Sequence, residues 1–301
     1  MKILLLGKDG QVGWELQRAL APLGELRSMG RSEADFSQPE TLRALVAEVK
    51  PDVIVNAAAY TAVDKAESDV ETARSVNALA PGVLAEAAAA SGAWLVHYST
   101  DYVFDGTKEG AWLEGDATKP LSVYGRTKCE GEERIRAAGA RHLILRTSWV
   151  FAPRGGNFAK TMLRLAKERD SLNVIADQHG APTGAELIAD ATALALHRLR
   201  GAGQAADAMS GTYHLAAAGE TTWHGYAQHV LAEALKQGAQ LKATPESVLP
   251  IATEAYPTPA ARPHNSRMNT QLFETTFGLT MPDWRHHVNR LIAELATQGT
   301  L

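Results

Sequence analysis

A tyrosine and a lysine stand four residues apart, at Tyr124 and Lys128, in a segment with a helical pattern. Side chains at this spacing share one face of a helix, one turn apart. A phenol with its ordinary pKa, near 10, is a poor acid at neutral pH, and a neighbouring ammonium would lower that pKa into the range of general acid catalysis. Thr100 ends an apolar run upstream, where its hydroxyl could hold a carbonyl beside the phenol. Taken singly, each feature has an ordinary explanation, since this Tyr-Lys spacing is common on helices and Thr100 could cap the next turn.

Three glycines at a spacing of three follow the first apolar run of the chain: Gly7, Gly10 and Gly13. A pyrophosphate on a helix N-terminus needs backbone amides to approach it closely, and a Cβ at these positions would prevent that approach. A tight turn between a strand and a helix would explain the same glycines. Their position on the first strand of an alternating chain favours dinucleotide binding. Together with the threonine, tyrosine and lysine, they predict a carbonyl reductase.

The end of the second apolar run bears on the choice of cofactor. A carboxylate there commonly holds the ribose 2′-hydroxyl of NAD, whereas an arginine accommodates the 2′-phosphate of NADP. The stretch 28–31 reads Ser-Met-Gly-Arg, and the first acid after it is Glu33. Arg31 therefore favours NADPH, with NADH as the alternative, unless it is an ordinary solvated loop charge. Asp35 and Phe36 could border the adenine.

The first half of the chain alternates short apolar runs with longer helical patterns, which is typical of a parallel sheet with crossover helices. The predicted strands are residues 2–6, 25–29, 53–55, 93–98 and 142–147. The predicted helices are 11–23, a helix capped at Ser37 with Glu40 in a capping box, two stretches within 65–91 interrupted near Pro81, and a helix from about Ser122. We therefore expect a Rossmann-type, doubly wound α/β fold.

The regular alternation of strand and helix patterns ends at about Trp149. Helices are predicted at 158–169, 185–200, 223–237 and 283–297, with isolated strands at 172–175 and 213–216. This pattern indicates a smaller α/β substrate-binding lobe that completes a cleft. The expected division is a dinucleotide-binding domain of residues 1–150 plus about 184–215, and a substrate lobe of about 151–183 plus 216–301.

Composition excludes several classes of protein. The 301 residues are 45% hydrophobic and 21% charged, which excludes a disordered or fibrous chain. The formal net charge is −4 and there is no basic run, which argues against nucleic-acid binding. No apolar stretch approaches the roughly 20 residues that span a bilayer, and the opening run stops at Gly7, too early for a signal peptide. A single cysteine, Cys129, fits a reducing compartment. We expect a cytoplasmic protein with no nucleic-acid or membrane partner.

Longer motifs resemble those of the extended short-chain dehydrogenase/reductase superfamily and, more narrowly, of the dTDP-4-dehydrorhamnose reductase family. These motifs are GKDGQVG at 7–13, NAAA at 56–59, AYTAVDKAE at 59–67, STDYVFDG at 99–106, YGRTK at 124–128, RTSWVF at 146–151, DQHGAPT at 177–183 and RPHNSR at 262–267. The resemblance extends from the first residue to about Leu295. It is specific because several of the motifs lie outside the generic cofactor motif.

The resemblance implies an activity and a set of roles. In this family NAD(P)H gives a hydride to C4 of dTDP-4-dehydro-L-rhamnose, which yields dTDP-L-rhamnose. Tyr124 would protonate the developing alkoxide, Lys128 would bind the nicotinamide ribose and lower the tyrosine pKa, and Thr100 would orient the carbonyl. Asp101 and Trp149 match positions that face the sugar nucleotide, although a tryptophan could instead be ordinary core.

Further binding residues follow from the same resemblance. Those expected at the cofactor, beyond the glycines and the residues near Arg31, are Gln11, Val12, Ala58, Ala59, Tyr60 and Thr61. Arg262 is the expected ligand of the substrate diphosphate, since a guanidinium fork matches phosphate oxygens. A surface charge after a proline turn is the alternative for this arginine.

Some family members hold Mg²⁺ at a dimer interface through glutamates that match Glu15, Glu186 and Glu294. Carboxylates are suitable ligands for this cation, although all three would serve equally well as solvated helix positions. A homodimer is accordingly a further expectation. The ten histidines show no zinc-hydrolase spacing, and Cys129 is expected to be a small buried residue.

Two other functions compete with the reductase. A nucleotide-sugar dehydratase or epimerase of the same fold would place a second carboxylate after Thr100, where this chain has Asp101, Tyr102 and Val103. A non-catalytic regulatory subunit, similar to the β-subunit of methionine adenosyltransferase, would not need the intact threonine, tyrosine and lysine. Both comparisons favour the reductase.

Overall fold

The computed structural model describes residues 1–301. Its centre is a six-stranded, all-parallel sheet. The strands of this sheet are β1 (Lys2–Leu6), β2 (Glu25–Met29), β3 (Val53–Asn56), β4 (Trp94–Thr100), β5 (His142–Thr147) and β10 (Gly211–His214). Their spatial order is β2-β1-β3-β4-β5-β10. The chain leaves β1 toward one side and then crosses over to the other, so the carboxyl ends of β1 and β3 flank a topological switch point.

Helices cover both faces of the sheet. The helices of the first half are α1 (Gln11–Leu20), α2 (Thr41–Val49), α3 (Val63–Ala66), α4 (Val70–Arg74), α5 (Ala80–Ser91) and α6 (Val123–Ala137). Those of the second half are α7 (Phe158–Glu168), α8 (Ala185–Ala202), α9 (Trp223–Lys236), α10 (Gln271–Phe277) and α11 (Trp284–Thr297). None of the helices is long and apolar enough to cross a membrane.

Alternate residues of the strands enter different apolar cores, as the two-residue period of a strand requires. Ile3 and Leu5 of β1 pack in the core that contains residues of α1 and α8, whereas Leu4 and Leu6 pack in the core of α2 and α5. Both faces of the sheet are therefore buried, which explains why its strands are apolar runs without alternation. The doubly wound α/β fold predicted from the sequence is confirmed.

A smaller part of the chain is built on α7, α9 and α11 with short paired strands. These strands are β6 (Val150–Phe151) with β9 (Thr183–Gly184), β7 (Leu172–Ile175) with β12 (Val248–Ile251), and β8 (His179–Gly180) with β11 (Thr221–Thr222). The apolar residues of this part, such as Tyr226 and Trp284, belong to the same continuous core as Ile3 and Leu5. The two lobes thus share one core.

Two helix boundaries differ from the prediction. The helix expected to start from a cap at Ser37 begins at Thr41, because the Asp35 carboxylate accepts the Ser37 backbone N–H and residues 37–40 form a turn. The capping box with Glu40 is therefore wrong. Pro81 does not end the second helical stretch: residues 70–91 are helical throughout, and the π-helical turn directly before Pro81 accommodates its missing N–H.

The irregular part of that stretch is a π-helical turn, Ser75–Leu79, between α4 and α5. It presents Asn77, whose side chain accepts from the Tyr60 N–H and donates to the Tyr60 carbonyl and to the Thr127 hydroxyl. This fully buried amide ties the segment after β3 to α6. The distortion therefore positions a part of the site, as π-helical turns often do.

Candidate active site

The glycine loop between β1 and α1 is held too closely for side chains. Gly7 has φ +87°, and a Cβ there would lie 2.6 Å from the Ala58 backbone nitrogen. A Cβ on Gly13 would lie 2.0 Å from the Gly7 carbonyl oxygen. Gly7 thus brings β1 against the end of β3, and Gly13 brings α1 against the loop. The N-terminus of α1, which starts at Gln11, is left open toward the groove as a pyrophosphate site requires.

Two adjacent cavities lie at the carboxyl edge of the sheet, and both border on Gly10, Ala57 and Ala59. We call the first the nucleotide half of the groove; it has a volume of about 470 Å³. Its lining includes Gly7, Arg31, Asp35, Phe36, Ala58 and Tyr60, all predicted at the cofactor. The second cavity, of about 440 Å³, we call the proton-transfer half. Its lining includes Gln11, Val12, Thr61, Thr100, Asp101, Tyr124, Lys128 and Trp149. Gly13 alone among the predicted cofactor residues lines neither cavity.

Arg31 is exposed at the nucleotide half and makes neither a hydrogen bond nor an ion pair. Glu33, the first acid after β2, accepts hydrogen bonds from Lys8 Nζ and from the Gly30 N–H at 2.8 Å. These contacts lower the pKa of the Glu33 carboxyl. The acid that could have bound ribose hydroxyls is therefore occupied, while the neighbouring arginine is free to meet a phosphate.

Thr100, Tyr124 and Lys128 meet in the proton-transfer half because the end of β4 faces the first turn of α6. This helix starts at Ser122, as predicted, and the Ser122 hydroxyl caps it by accepting the Gly125 N–H at 3.1 Å. A Cβ on Gly125 would lie 2.3 Å from the Tyr102 carbonyl oxygen, so this glycine lets α6 approach the segment after β4. The sequence correctly placed all three side chains together.

The expected lowering of the tyrosine pKa is wrong for this structure. Burial raises the pKa of Tyr124 to about 12, the Thr100 hydroxyl acts in the opposite direction, and Asp101 adds to the rise. Lys128 does not offset this rise, because Nζ is directed to the Tyr98 carbonyl oxygen, at 2.6 Å, and to His97 Nε2, at 3.1 Å. Tyr124 is therefore a firmly protonated phenol.

Lys128 is almost completely buried, with 1% of its surface exposed. Burial lowers its pKa to about 8, against the opposing effect of Glu132 one turn along α6. Glu132 itself is paired with Arg146 through two hydrogen bonds, at 2.9 and 2.7 Å. The lysine therefore has no carboxylate of its own.

Asp101 is buried beside Thr100, whose hydroxyl donates to Asp101 Oδ1 at 3.0 Å. The other oxygen, Oδ2, is buried without a hydrogen-bond partner. Burial raises the pKa of Asp101 to about 6, and contacts with Ser266 and Thr100 oppose the rise. Asp101 lines the cavity, so a small rotation of its side chain would present this oxygen to a hydroxyl group of a ligand.

Trp149 lines the cavity and has φ +48°, a region that residues other than glycine rarely adopt. Its ring stacks on Trp223, with 3.7 Å between ring centroids. A Cβ on Gly180 would lie 2.8 Å from the Trp149 ring, so this glycine makes room for it. Trp149 is thus both a cavity wall and part of an aromatic cluster, which joins the two interpretations offered by the sequence.

The structure does not leave Arg262 free for a diphosphate. Its terminal nitrogens donate to both carboxylate oxygens of Asp64, at 3.1 and 2.8 Å, and also to Thr258 and to the Ala260 carbonyl. Arg262 does not line the proton-transfer half. Its hydrogen bonds hold the segment 258–262 against Asp64 of α3. The geometry therefore does not support the prediction of a diphosphate ligand.

The three glutamates predicted to hold Mg²⁺ approach one another, since Glu186 and Glu294 both contribute to the raised pKa of Glu15, after burial and the opposing Arg18. Glu186, however, accepts from Arg290 at 2.8 Å and also lies 3.6 Å from His287. No group of three His, Cys, Asp or Glu side chains is arranged to hold a metal. The residues therefore do not fit a metal in the single chain, because an arginine already neutralises the central carboxylate.

Two side chains that the sequence did not place at the site stand behind Lys128. His97, fully buried in β4, contacts Lys128 and also Asn56 at the end of β3. A polar residue in an otherwise apolar central strand, three residues before Thr100, was the available signal.

Comparison with known proteins supports this geometry. A family model described as the RmlD substrate binding domain matches residues 1–297. The dTDP-4-dehydrorhamnose reductase of Escherichia coli strain K12 is 56% identical over 99% of both chains. Two solved structures of dTDP-4-dehydrorhamnose reductases superpose with a TM-score of 0.86 each. The protein from Clostridium acetobutylicum is 34% identical, covering 98% of this chain and 99% of its own.

The other structure is that of the Bacillus anthracis protein in complex with NADP; it is 32% identical and covers 98% of this chain and 100% of its own. These similarities extend over the whole chain rather than over the cofactor fold alone. They include the segments that build the smaller lobe. The chain therefore belongs to the RmlD family of dTDP-4-dehydrorhamnose reductases.

Proposed function

We propose that this chain uses NADPH to reduce the C4 keto group of dTDP-4-dehydro-L-rhamnose, giving dTDP-L-rhamnose as the last step of dTDP-rhamnose synthesis. The observation that carries the proposal is the meeting of Thr100, Tyr124 and Lys128 in one half of a groove whose other half is built on a glycine loop. The names of the full-length relatives supply the substrate.

The residues of the groove fit a dinucleotide. The cradle at Gly7 and Gly13 has no room for a Cβ, and the open N-terminus of α1 suits a pyrophosphate. The unpaired Arg31 and the occupied Glu33 favour the 2′-phosphate of NADPH over NADH. The solved relative that holds NADP agrees with this preference.

When bound, NADPH supplies the hydride that C4 accepts. Tyr124 holds a proton firmly and would release it to the alkoxide oxygen, where the proton affinity rises as the ketone is reduced. The Thr100 hydroxyl would donate to the carbonyl oxygen in place of its present acceptor, Asp101 Oδ1. Lys128 would stabilise the phenolate left on Tyr124, one helical turn away.

The competing functions are less well supported. A dehydratase needs a second proton-transfer group besides Asp101, and the next residue, Tyr102, packs edge-on against Tyr124 with a ring-centroid distance of 5.4 Å. Burial raises the pKa of Tyr102, so it cannot replace a carboxylate as a base. A regulatory subunit would have no use for a buried lysine and a protonated phenol in an open groove.

The proposal includes the organisation of the molecule. Residues 1–150 with about 184–215 would hold the cofactor, and about 151–183 with 216–301 would hold the sugar nucleotide. The free, buried Cys129 supports a cytoplasmic location. A homodimer is part of the proposal, and sedimentation of the full chain tests it.

One assay tests the function. The keto-sugar is generated from its dTDP-sugar precursor by the upstream enzymes, and consumption of NADPH or NADH is then followed with this chain. We expect oxidation of NADPH that depends on added keto-sugar, with dTDP-L-rhamnose as the product. Oxidation without keto-sugar, or a product that has lost water or changed configuration at another carbon, would contradict the proposal.

A further inference from the structure

We propose that His97, supported by Asn56, is a positioning residue that favours the neutral amine form of Lys128 in the cofactor-free enzyme. The inference deepens the proposed reductase function and rests on it. It follows from the direction of three consecutive hydrogen bonds behind the lysine, where the side chains of Asn56, His97 and Lys128 are each at most 1% exposed.

The first bond fixes the orientation of an amide. Asn56 Oδ1 accepts the Ala58 backbone N–H at 3.1 Å. Rotating the side-chain amide by half a turn would place its NH₂ group against that N–H. Asn56 Nδ2 must therefore face the His97 ring, where it lies 3.1 Å from Nδ1.

The second bond fixes the position of the ring proton. Nδ1 of His97 accepts from the Asn56 NH₂ group, so the single proton of a neutral imidazole is on Nε2. Burial and the neighbouring Lys128 both lower the pKa of His97 well below its ordinary range, which keeps the ring neutral. His97 therefore presents an N–H to Lys128, not a lone pair.

The third contact joins His97 Nε2 to Lys128 Nζ at 3.1 Å. An N–H donor at this distance needs an acceptor, and an ammonium has none, whereas a neutral amine has one lone pair. The amine can still donate to the Tyr98 carbonyl oxygen at 2.6 Å. Charging Lys128 would place N–H against N–H, so the Asn56 and His97 pair opposes protonation of the lysine.

The surrounding charges do not reverse this effect. Titratable and charged groups around Lys128 are Tyr124 and Glu132 on α6, Tyr98 and Asp101 from β4 and the turn after it, and Arg146 on β5. Glu132 would favour an ammonium, but its carboxylate is already paired with Arg146 and lies close to Arg136, 3.2 Å away. Burial lowers the pKa of Lys128 to about 8 in spite of Glu132.

A neutral Lys128 has a consequence for the reaction. When Lys128 is neutral, no ammonium favours ionisation of Tyr124, so Tyr124 remains a phenol. This is the state that a proton donor to a ketone requires. Once the proton has left, the phenolate favours an ammonium on Lys128, against the restraint set by His97. The pair would therefore influence the pH dependence of turnover without touching the substrate.

The decisive measurement is the tautomer of His97 in the full-length, cofactor-free protein. Nitrogen NMR of histidine-labelled protein shows which ring nitrogen carries the proton, and His97→Gln identifies the ring signal among the ten histidines. Lys128→Arg gives a second identification through the shift of the same signal, in case His97→Gln does not fold. We expect the proton on Nε2, and a proton on Nδ1 or on both nitrogens would overturn the proposal.

A second measurement follows Lys128 itself. In protein labelled at the lysine ε-carbon, we expect its titration midpoint to lie below those of the other lysines. His97→Gln should raise that midpoint by about one pH unit or more, because the glutamine carbonyl can accept from an ammonium. His142→Gln, at a histidine whose ring is hydrogen-bonded to the Ala140 carbonyl and not to Lys128, is the matched control and should leave it unchanged. An unchanged midpoint in His97→Gln would refute the role.

The pH profile of kcat connects the inference to activity. His97→Gln should shift the profile of keto-sugar reduction in the direction of the Lys128 midpoint, whereas a residue that acts only in packing would lower kcat at every pH alike. If the wild-type chain reduces no keto-sugar, the proposed function fails. The tautomer and the lysine midpoint are measured without substrate, so they decide the inference separately.

Discussion

The nucleotide half and the proton-transfer half of the groove bury different kinds of group. In the nucleotide half, backbone atoms of Gly7 and Ala58 approach so closely that no Cβ fits between them, and the charged Arg31 stays in solvent. In the proton-transfer half, Asp101 and Lys128 are almost completely removed from water. The first half is shaped by steric limits and the second by the cost of burying charge.

The difference explains how each half does its work. Steric limits act between neighbouring backbone segments and do not depend on pH, so the nucleotide half is a rigid cradle. Protonation states depend on the whole environment of a group, so the proton-transfer half is adjustable. Burial raises the pKa of Asp101 to about 6 and lowers that of Lys128 to about 8, which brings a carboxyl and an amine toward neutrality in the same cavity.

The largest effect that separates the halves is expected from Tyr124→Phe. Loss of the hydroxyl removes the proton donor, so kcat for the keto-sugar should fall by about 10²- to 10⁴-fold. The dissociation constant for NADPH, measured by fluorescence titration, should stay nearly unchanged. Tyr213→Phe, which removes a hydroxyl bonded to the Met209 carbonyl outside the groove, is the control. Equal loss of cofactor affinity and turnover would mean that the two halves do not act separately.

Gly7→Ala tests the cradle in the same way. A Cβ would meet the Ala57 and Ala58 backbone and would also have to adopt φ +87°, so we expect the free energy of unfolding to fall by about 3 kcal/mol. Gly139→Ala is the matched control, because Gly139 has φ +70° but nothing within 4 Å of its Cβ position. It should cost only about 1 kcal/mol. Similar losses in the two variants, measured by denaturant titration, would show that conformational strain alone, without close packing, requires Gly7.

The sequence predicts the backbone features of the groove better than its protonation states, because protonation states depend on the whole folded environment of a group. The glycine spacing, the helix start near Ser122 and the shared face of Tyr124 and Lys128 depend on neighbours in the chain, and the structure confirms each. The predicted direction of the Tyr124 pKa shift is wrong because the shift depends on burial and on the contacts of Lys128 Nζ. Those contacts are made with His97 and Tyr98, on a strand that only the fold brings close.

Arg262 illustrates the same limit in the smaller lobe. A guanidinium after a proline turn is equally compatible with a phosphate ligand and with an ion pair, and its partner Asp64 lies 198 positions away in the chain. The start of α2 at Thr41, instead of at a Ser37 cap, was not predicted although it depends on residues close in the chain. Ser37 and Asp35 can both organise the turn before it, and the carboxylate of Asp35 takes the Ser37 N–H.

Asp101→Asn examines the cost of burying charge in the proton-transfer half. Below about pH 3 the carboxyl is protonated in both the folded and the unfolded chain, so its titration contributes nothing. As the pH rises toward the folded pKa, about 6, the unfolded chain ionises first and stability is lost. The amide cannot ionise, so the variant should be more stable than wild type by about 1–2 kcal/mol near pH 8 and nearly equal to it near pH 4.

Thermal unfolding at the two pH values measures this difference. A constant difference at both pH values would show that the Asp101 carboxyl is ionised as easily as in water. The same variant should weaken binding of the sugar nucleotide, because the unpartnered oxygen is replaced or turned away. Stability gained together with affinity lost would identify the carboxylate as a group kept for binding.

Arg31→Ala is expected to give the smallest effect, because this side chain is exposed and its interactions are screened by solvent and salt. The KM for NADPH should rise by about five- to tenfold and that for NADH by less than about twofold, since only NADPH carries the 2′-phosphate. Arg27→Ala removes the same charge from β2 outside the nucleotide half and should change neither value. If both arginines change the KM for NADPH equally, the general field of the protein selects the cofactor. If Arg31 alone acts, and less so at high salt, selection in this half depends on one solvated charge placed by a rigid backbone, in contrast to the buried charges that govern proton transfer.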